Sequence, residues 1–582
     1  MKQLLLSIIF LFIAQFSWGQ TPDSLGMQQL TVVKSFDPET AAAQKIKDQP
    51  LWDSLPKARS GGQYTYPTFG LGPVWGPKQG HQLPPLLRKT QDVHRYFASL
   101  EGGNLSGYGA EFGLNTDLSR RTQLAVISGI RGARGSSSQL FEDQFYRDAA
   151  LSLQAQSALS GALLTQDLEV NSQALNYYGF YRTHELAQSV FQTSVPIDLG
   201  VRFQSLSFRQ KVQFEQGALD ELAWEGTRVG DLNGFRETRF AAQGKGDLPW
   251  WAGKLMVSGG ALAMWTHRAE SPLDQLDPQG TGYRLGLVTF ATAYVYQPKK
   301  EIGYTAGING AYHAQAGSDR IYVFPELKAT YRAPSSRFTG EMSLSGGVKT
   351  PDFNSLRQIN PWLSPSSLIK PERTTYAIQL TGSWSPLDNL QFNAQLYTDR
   401  VNDQALFTLN PLNSFRSTPD ALGNSFQVIY DQISSSGLDL SGQWAPWTDW
   451  NLSVSGGWRH MVTDVEAKAW NMPTAYFDGQ IEGRFAPHWY WGAEVDWVNS
   501  RFDQYRQVVQ FVQPGSLPST LIELPSRFMA HTQFRYQHRE QWQFSLKVNN
   551  VFQQSQTQWT QYPEMGRMIL LGVQYQWDRF KF

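Results

Sequence analysis

Between Tyr376 and Trp384 the chain reads Tyr-Ala-Ile-Gln-Leu-Thr-Gly-Ser-Trp. Successive side chains of a β-strand point to opposite faces, so Tyr376, Ile378, Leu380 and Trp384 share one face and Ala377, Gln379, Thr381 and Ser383 the other. Pro386 stops the run, and Leu390–Leu396 begins the same alternation again. The pattern recurs: Trp542, Phe544, Leu546 and Val548 alternate with Gln543, Ser545, Lys547 and Asn549. Phe477, Ile481 and Phe485 alternate with Asp478, Glu482 and Arg484, and Trp489, Trp491, Val495 and Trp497 with Glu494 and Asp496. A chain patterned this way must give its aromatic face an apolar environment and its charged face water.

The connections are unequal. Tight turns are expected near Leu118, Ser160, Leu248, Pro298, Pro334, Pro386, Pro446, Pro487 and Arg539, whereas 348–372, 400–424, 500–526 and 552–565 read as long links. Short turns at one end and long loops at the other mark a transmembrane antiparallel β-barrel, with the short turns periplasmic. These turns alone give 20 strands. The interval from 160 to 248 has room for one further hairpin, expected to turn near Pro196, which raises the expected count to 22. Trp250, Trp251, Tyr296, Tyr331, Trp384, Trp444, Trp447, Trp450, Trp489, Trp491 and Trp542 crowd the short-turn end, as an interfacial aromatic girdle does.

Composition agrees. Aromatic residues make up 13% and charged residues 17% of the chain, yet mean hydropathy is only -0.39. Single apolar residues spread along strands produce that combination, because alternation hides the apolar face from an averaged score. Lys plus Arg and Asp plus Glu number 50 each, so charge points to no nucleic-acid partner. The absence of cysteine excludes structural disulfides, thiol catalysis, thiolate metal ligation and lipidation at cysteine. Met1–Gly19 carries Lys2, an apolar run from Leu4 to Ala14 and small residues at Ser17 and Gly19, a signal peptide cleaved before Gln20. The expected domains are therefore 1–19 signal peptide, 20–93 N-terminal periplasmic or luminal segment, and 94–582 barrel.

With the hairpins placed, several stretches become recognisable. The run Gly-Gly-Val-Lys-Thr-Pro-Asp-Phe-Asn-Ser-Leu at 346–356 is followed by Asn-Pro-Trp-Leu from residue 360 and by Ile369-Lys370-Pro371-Glu372-Arg373. Near the C-terminus come Asn549-Asn550-Val551-Phe552, Tyr562-Pro563 and Gly566-Arg567. In this order and spacing they resemble the barrel of TonB-dependent outer-membrane receptors, clearly over 290–582 and more faintly over 94–290. The resemblance implies an outer-membrane protein of a Gram-negative bacterium, in contact with outer-membrane lipid and inserted by the outer-membrane assembly machinery. Trp577 stands where family barrels usually end, but five residues follow it, and Phe582 is favoured as the assembly signal. Residues 20–93, rich in Pro and Gly, are too few for the family's full plug, so a partial plug, a periplasmic segment or a separate lumen-filling partner all remain open.

Site candidates are few. Leu30-Thr31-Val32-Val33 resembles the box that pairs as a strand with TonB, although a short apolar strand packed in the lumen explains it equally well. Asp478, Glu482, Arg484, Glu494 and Asp496 form either a polar path for substrate or a mutually paired lumen wall, and barrel interiors favour the wall. Lys370 and Glu372 are expected to fix loop-to-strand geometry. The nine histidines form no close metal-ligating cluster, and no nucleophile elbow stands out, so neither cofactor, metal nor enzymatic activity is expected. Two functions remain: uptake of a small molecule across the outer membrane, or a plugless barrel acting as scaffold or partner subunit of an outer-membrane complex.

Overall fold

The computed structural model describes residues 96–135, 140, 142–179, 199–267, 282–315, 319–335, 337–365, 367–410, 420, 422–506, 519–554 and 556–577. Residues 1–19, 20–93, the Leu30–Val33 box and Phe582 lie outside them. Twenty-two of the described strands form one closed antiparallel sheet. Closure is made by Tyr96–Gly103 against Met568–Trp577, in register from Tyr96 opposite Trp577 to Gly103 opposite Leu570. Trp577 is the last residue of the closing strand, and its ring stacks on that of Tyr96 at 5.6 Å.

The expected count of 22 holds, and the fallback of 20 does not. The tenth tight turn, however, is not near Pro196. It joins Gly200–Phe214 to Glu221–Asp231 through 215–220, where Gly217 takes a φ of 121° open to glycine. Pro196 lies outside the described residues, in the long link between Ala162–Asn176 and Gly200–Phe214. The long links also need correction. The strand expected to break near 400 runs on as Leu390–Leu409, pairing with Phe426–Trp444, so the link there is only 410–425. A bulge between Val401 and Gln404, with Asp403 at φ 54°, lets the strand bend without ending. Within 500–526, Arg501–Arg506 and Ser519–Leu524 pair as a separate hairpin above the wall.

One loop shows which face of the sheet is interior. Residues 350–371 touch strand Arg236–Trp250 through Glu237 and Arg239, and also strand Phe426–Trp444 through backbone hydrogen bonds. A loop reaches walls so far apart in the sheet only across the lumen. Side chains sharing a face with Glu237 and Arg239 are therefore internal, while Phe240, Leu248 and Trp250 point outward and are exposed. Tyr376, Ile378, Leu380 and Trp384 are likewise exposed, whereas Ala377 is buried. Along the short-turn end the expected girdle is present, with Trp450 and Trp491 half-buried and the other nine aromatics exposed. Among the described residues no helix is long and apolar enough to cross a membrane, so the crossing is made by strands.

Candidate functional site

The long-loop end of the barrel holds a second structure that alternation does not announce. Strand Phe338–Lys349 leads into Thr350-Pro351-Asp352 and a short helix, α1 (Phe353–Ile359). Asp352 caps it: its Oδ1 accepts from Ser355 N at 2.7 Å, while Ser355 Oγ accepts from Asp352 N at 3.1 Å. The barrel wall grips this end. Glu237 accepts from Phe353 N at 3.0 Å, and Arg239 lies 3.5 Å from Asp352 and 3.2 Å from Glu225. The Arg357 guanidinium sits 4.3 Å over the Phe203 ring and donates to Gln173; burial pushes it down to about 10.

Beyond α1 the loop adds backbone to the opposite wall. Phe426 N donates to Trp362 O at 2.9 Å, and Ser364 N to Phe426 O at 2.7 Å. Trp362 becomes the centre of an aromatic cluster: its ring stacks on Tyr562 at 3.9 Å and meets Tyr178 edge-on at 5.6 Å. Tyr562 belongs to a small turn in which Thr557–Trp559 pairs with Tyr562–Pro563. Hydrogen bonds tie the loops together. Tyr177 Oη donates to Leu363 O at 3.2 Å, Tyr178 Oη to Pro563 O at 3.0 Å, Asn424 Nδ2 to Tyr177 O at 2.8 Å, and Tyr562 Oη to Asn424 O. Four links, containing 140, 177–179, 350–371 and 556–566, thus meet in one apolar core, to which Asn424 ties a fifth. Around it the inner faces of the strand tops are apolar too, including Phe203, Met264, Leu285 and Phe407. The interior is apolar here because it faces packed loops instead of water.

Beside the core lies a buried ionic group in the outer loops. Arg527 pairs with Asp496 and lies 3.4 Å from Glu564, while Asp503 accepts from Thr560 Oγ1. Burial pushes the Glu564 carboxyl up to about 7 against the opposing pull of Arg527, and pushes Asp503 up to about 6. Burial also holds Arg501 down at about 10.

The residues singled out from sequence divide between cap and wall. Ile369 is buried in the core. Lys370 Nζ lies 5.1 Å over the Tyr430 ring, and Lys370 N donates to Tyr430 Oη, which in turn donates to Leu368 O, both at 2.9 Å. Pro371 precedes Glu372, which opens the strand and accepts from Ala405 N at 3.1 Å, while Arg373 lies 5.0 Å over Tyr322. Gly566 and Arg567 bring the last link back to the closing strand, with Arg567 Nε donating to Val551 O at 3.0 Å. On the wall, Asp478 faces Asp496, the partner of Arg527, across paired strands, and Gln480 faces Glu494. Glu482 pairs with Arg535 and Arg484 with Asp449. The aromatic residues Tyr177, Tyr178, Trp559 and Tyr562 and, Asp496 apart, the ionic group around Arg527 are not among the sequence candidates. Their only signal is aromatic residues inside links otherwise rich in chain breakers.

No family model matches this sequence, and no curated protein matches it. Solved structures do. Over 84% of this chain and 82% of that one, it is similar to the ferric-catecholate import receptor Fiu from K12 E. coli in closed form, at 10% identity and a TM-score of 0.55. The FrpB iron transporter from Neisseria meningitidis (F5-1 variant) matches at 10% identity over 84% and 83%, with a TM-score of 0.59. The copper transporter OprC matches at 12% identity over 83% and 81%, with a TM-score of 0.56. At these identities the likeness establishes the fold, which is the barrel of TonB-dependent outer-membrane receptors. The closed sheet and its exposed apolar belt are those of a membrane-spanning β-barrel.

Proposed function

We propose that this barrel takes up a small molecule across the outer membrane, with the loop cap as its outer gate. The observation that carries the reading is the cap itself: four links from separate parts of the wall meet across the mouth in one apolar core. Beneath it the lumen wall is a lattice of paired charges, including Arg209–Glu225, Lys328–Glu341 and Lys547–Glu101. A hydrated wall below a removable closure suits controlled passage better than a permanently open pore. That the similar structures include an iron transporter and a copper transporter supports the reading without naming the cargo. Residues 20–93 are proposed to occupy or gate the lumen from below, with Leu30–Val33 as the segment offered to TonB.

The test is bilayer conductance of the mature chain, of a chain lacking 20–93, and of that shortened chain carrying Trp362→Ala. Uptake with two closures predicts a silent full-length barrel and current only when both closures are lost. Steady large current from the intact chain would sink the gate. The second reading, a scaffold or partner subunit, draws on the shortness of 20–93 relative to a full plug. It gains if all three proteins stay silent and a stoichiometric partner co-purifies in mild detergent.

A further inference from the structure

One seam of the wall departs from the others. Elsewhere among the described strands of the closed sheet, a ladder stops within one residue of an end of one of its two strands. Strands Arg320–Arg332 and Phe338–Lys349 do not follow this rule. Their register runs from Arg332 opposite Thr339 to Leu327 opposite Leu344 and stops there. Residues 320–326 nevertheless stay paired with Ile302–Gln315 on their other side, and 345–349, across a shift at Gly346, with Glu372–Leu387. Two strand edges thus run side by side at the long-loop end of the wall with no ladder between them.

The local sequence supplies the cause. Pro325 has no N–H to give a ladder, and proline within a sheet is confined to edges and bulges. Continuing the register would set it opposite Gly346, where the pairing with the next strand also slips between Ser345 and Gly347. At Gly347 an added Cβ would meet nothing within 4 Å. Exposure follows the break: Ile321 and Val323 are 74% and 61% exposed, against 49% for Leu327, where the ladder begins. Side chains hold the seam shut instead. A Cβ added at Gly346 would lie 2.7 Å from the ring of Phe324, so this buried ring fills the space in front of the glycine, and Arg373 lies 5.0 Å over Tyr322 from two strands away.

The freed segment leads directly into the cap. Lys349 is followed by Thr350-Pro351-Asp352 and α1, so 345–349 carries α1 with a strand neighbour on one side only. The cap links that leave Asn176 and Asn549 spring from strands paired on both sides to within one residue of those ends. We propose that 345–349 is the hinge of the outer gate, an inference that rests on the cap being the closure and names the part that moves. With α1 it swings as one leaf, parting from 320–326 while its pairing with Glu372–Leu387 holds. Parting breaks no ladder; it gives up the packing of Phe324 on Gly346, the reach of Arg373 to Tyr322, and the hold of Glu237 and Arg239 on α1. Hinges are a few residues at the ends of elements that absorb the change in backbone angles, and two adjacent glycines at an unpaired edge suit that task.

The chain has no cysteine, so an introduced pair is unambiguous. Phe324→Cys with Gly346→Cys sets two Cβ atoms 3.0 Å apart, near enough for a disulfide after a small shift. Hydrogen exchange of the full mature chain then reads the leaf. In the wild type, 345–349 should exchange at least tenfold faster than 339–344 of the same strand. The reduced pair lacks the Phe324 latch and should lower protection over 345–359 at least tenfold, and oxidation of the same protein should restore it, with 327–332 and 376–387 unchanged throughout. Heat-modifiable electrophoretic mobility checks folding. If the pair fails that check, Gly347→Val, which stiffens the hinge in open space, should slow exchange over 345–359 at least threefold. Equal protection of 345–359 in the two redox states would overturn the hinge, and so would loss spread equally into 376–387. Exchange also separates the hinge from the gate. A mobile leaf in a barrel that conducts steadily when intact would keep the hinge and discard the gate, whereas current that opens with an immobile leaf would do the reverse.

Discussion

Strand Leu390–Leu409 contains both halves of this molecule in twenty residues. In its lower half Phe392, Ala394 and Leu396 are exposed while Asn393, Gln395 and Tyr397 are buried, an alternation kept by two different surroundings. In its upper half Ala405, Leu406, Phe407, Thr408 and Leu409 are all buried. Ala405, Phe407 and Leu409 join the capping loops, while Leu406 packs with Ile433, Trp470 and Met472. A strand alternates only where its two faces meet different surroundings. Where loops cover both faces, the alternation disappears and the segment reads as apolar loop. The wall is thus specified by contrast between faces, the cap by packing.

The comparison breaks most clearly at Trp362. Removing a buried aromatic leaves a cavity costing about 3–5 kcal/mol, and here the loss falls on contacts that join links from opposite walls. Trp362→Ala should therefore speed amide exchange across 353–363 and 556–566 while leaving the wall strands protected. If the wall strands exchange faster to the same extent, cap and wall are one cooperative unit and the division fails.

A second effect comes from the ionic group and depends on pH. Glu564 has a folded value of about 7, above its ordinary 4.5, so between those values the folded cap holds a proton that the opened cap releases. Stability of the cap is therefore greatest below about pH 4.5 and falls as pH rises through 7, by up to about 3 kcal/mol. Asp503 adds a change of the same sign at lower pH, up to about 6. Once intrinsic exchange rates are divided out, protection at 556–566 should be greater at pH 5 than at pH 8, and Glu564→Gln should flatten most of that difference. An unchanged slope in Glu564→Gln would assign the dependence elsewhere.

The wall was legible in the sequence because each strand carries its own evidence. Trp489–Val498 states its two faces in ten residues, and counting such runs between turns leads to 22. The one misplaced turn shows the limit of punctuation: Pro196 is the stronger local breaker, but the chain turns at 215–220 around Gly217. The cap was legible only in pieces. Asn360 to Arg373 and Asn549 to Arg567 were recognisable as stretches, yet nothing local to either says that Trp362 stacks on Tyr562 across two hundred residues. That contact follows from barrel closure, which places the two links over one mouth. The lumen charges of the wall lie between these cases, since parity predicts their face but not their partners.

A smaller effect would sharpen the division at the helix cap. Asp352→Ala removes the acceptor for Ser355 N, a loss of about 1 kcal/mol, and also its contact with Arg239. Exchange should quicken within α1 alone, with Trp362 and its stack unmoved. Spread of the effect to 556–566 would mean that α1 governs the whole cap.

The smallest expected effect belongs to the wall. Glu482 and Arg535 are paired but both remain about a third exposed or less on the lumen side, where a pair open to water contributes under about 1 kcal/mol. Glu482→Gln should therefore leave the unfolding transition nearly unmoved, because backbone pairing of Glu482 with Gly492 and its neighbours is untouched. What it should alter is passage: an unopposed Arg535 in the lumen shifts an opened channel, lacking 20–93 and carrying Trp362→Ala, toward anions. Reversal potential in a salt gradient reads that shift. A large stability loss with no change in selectivity would make this pair part of the scaffold of the wall. The intended contrast, in which the cap carries the closure and the wall carries the path, would then have to be drawn at a different height in the barrel.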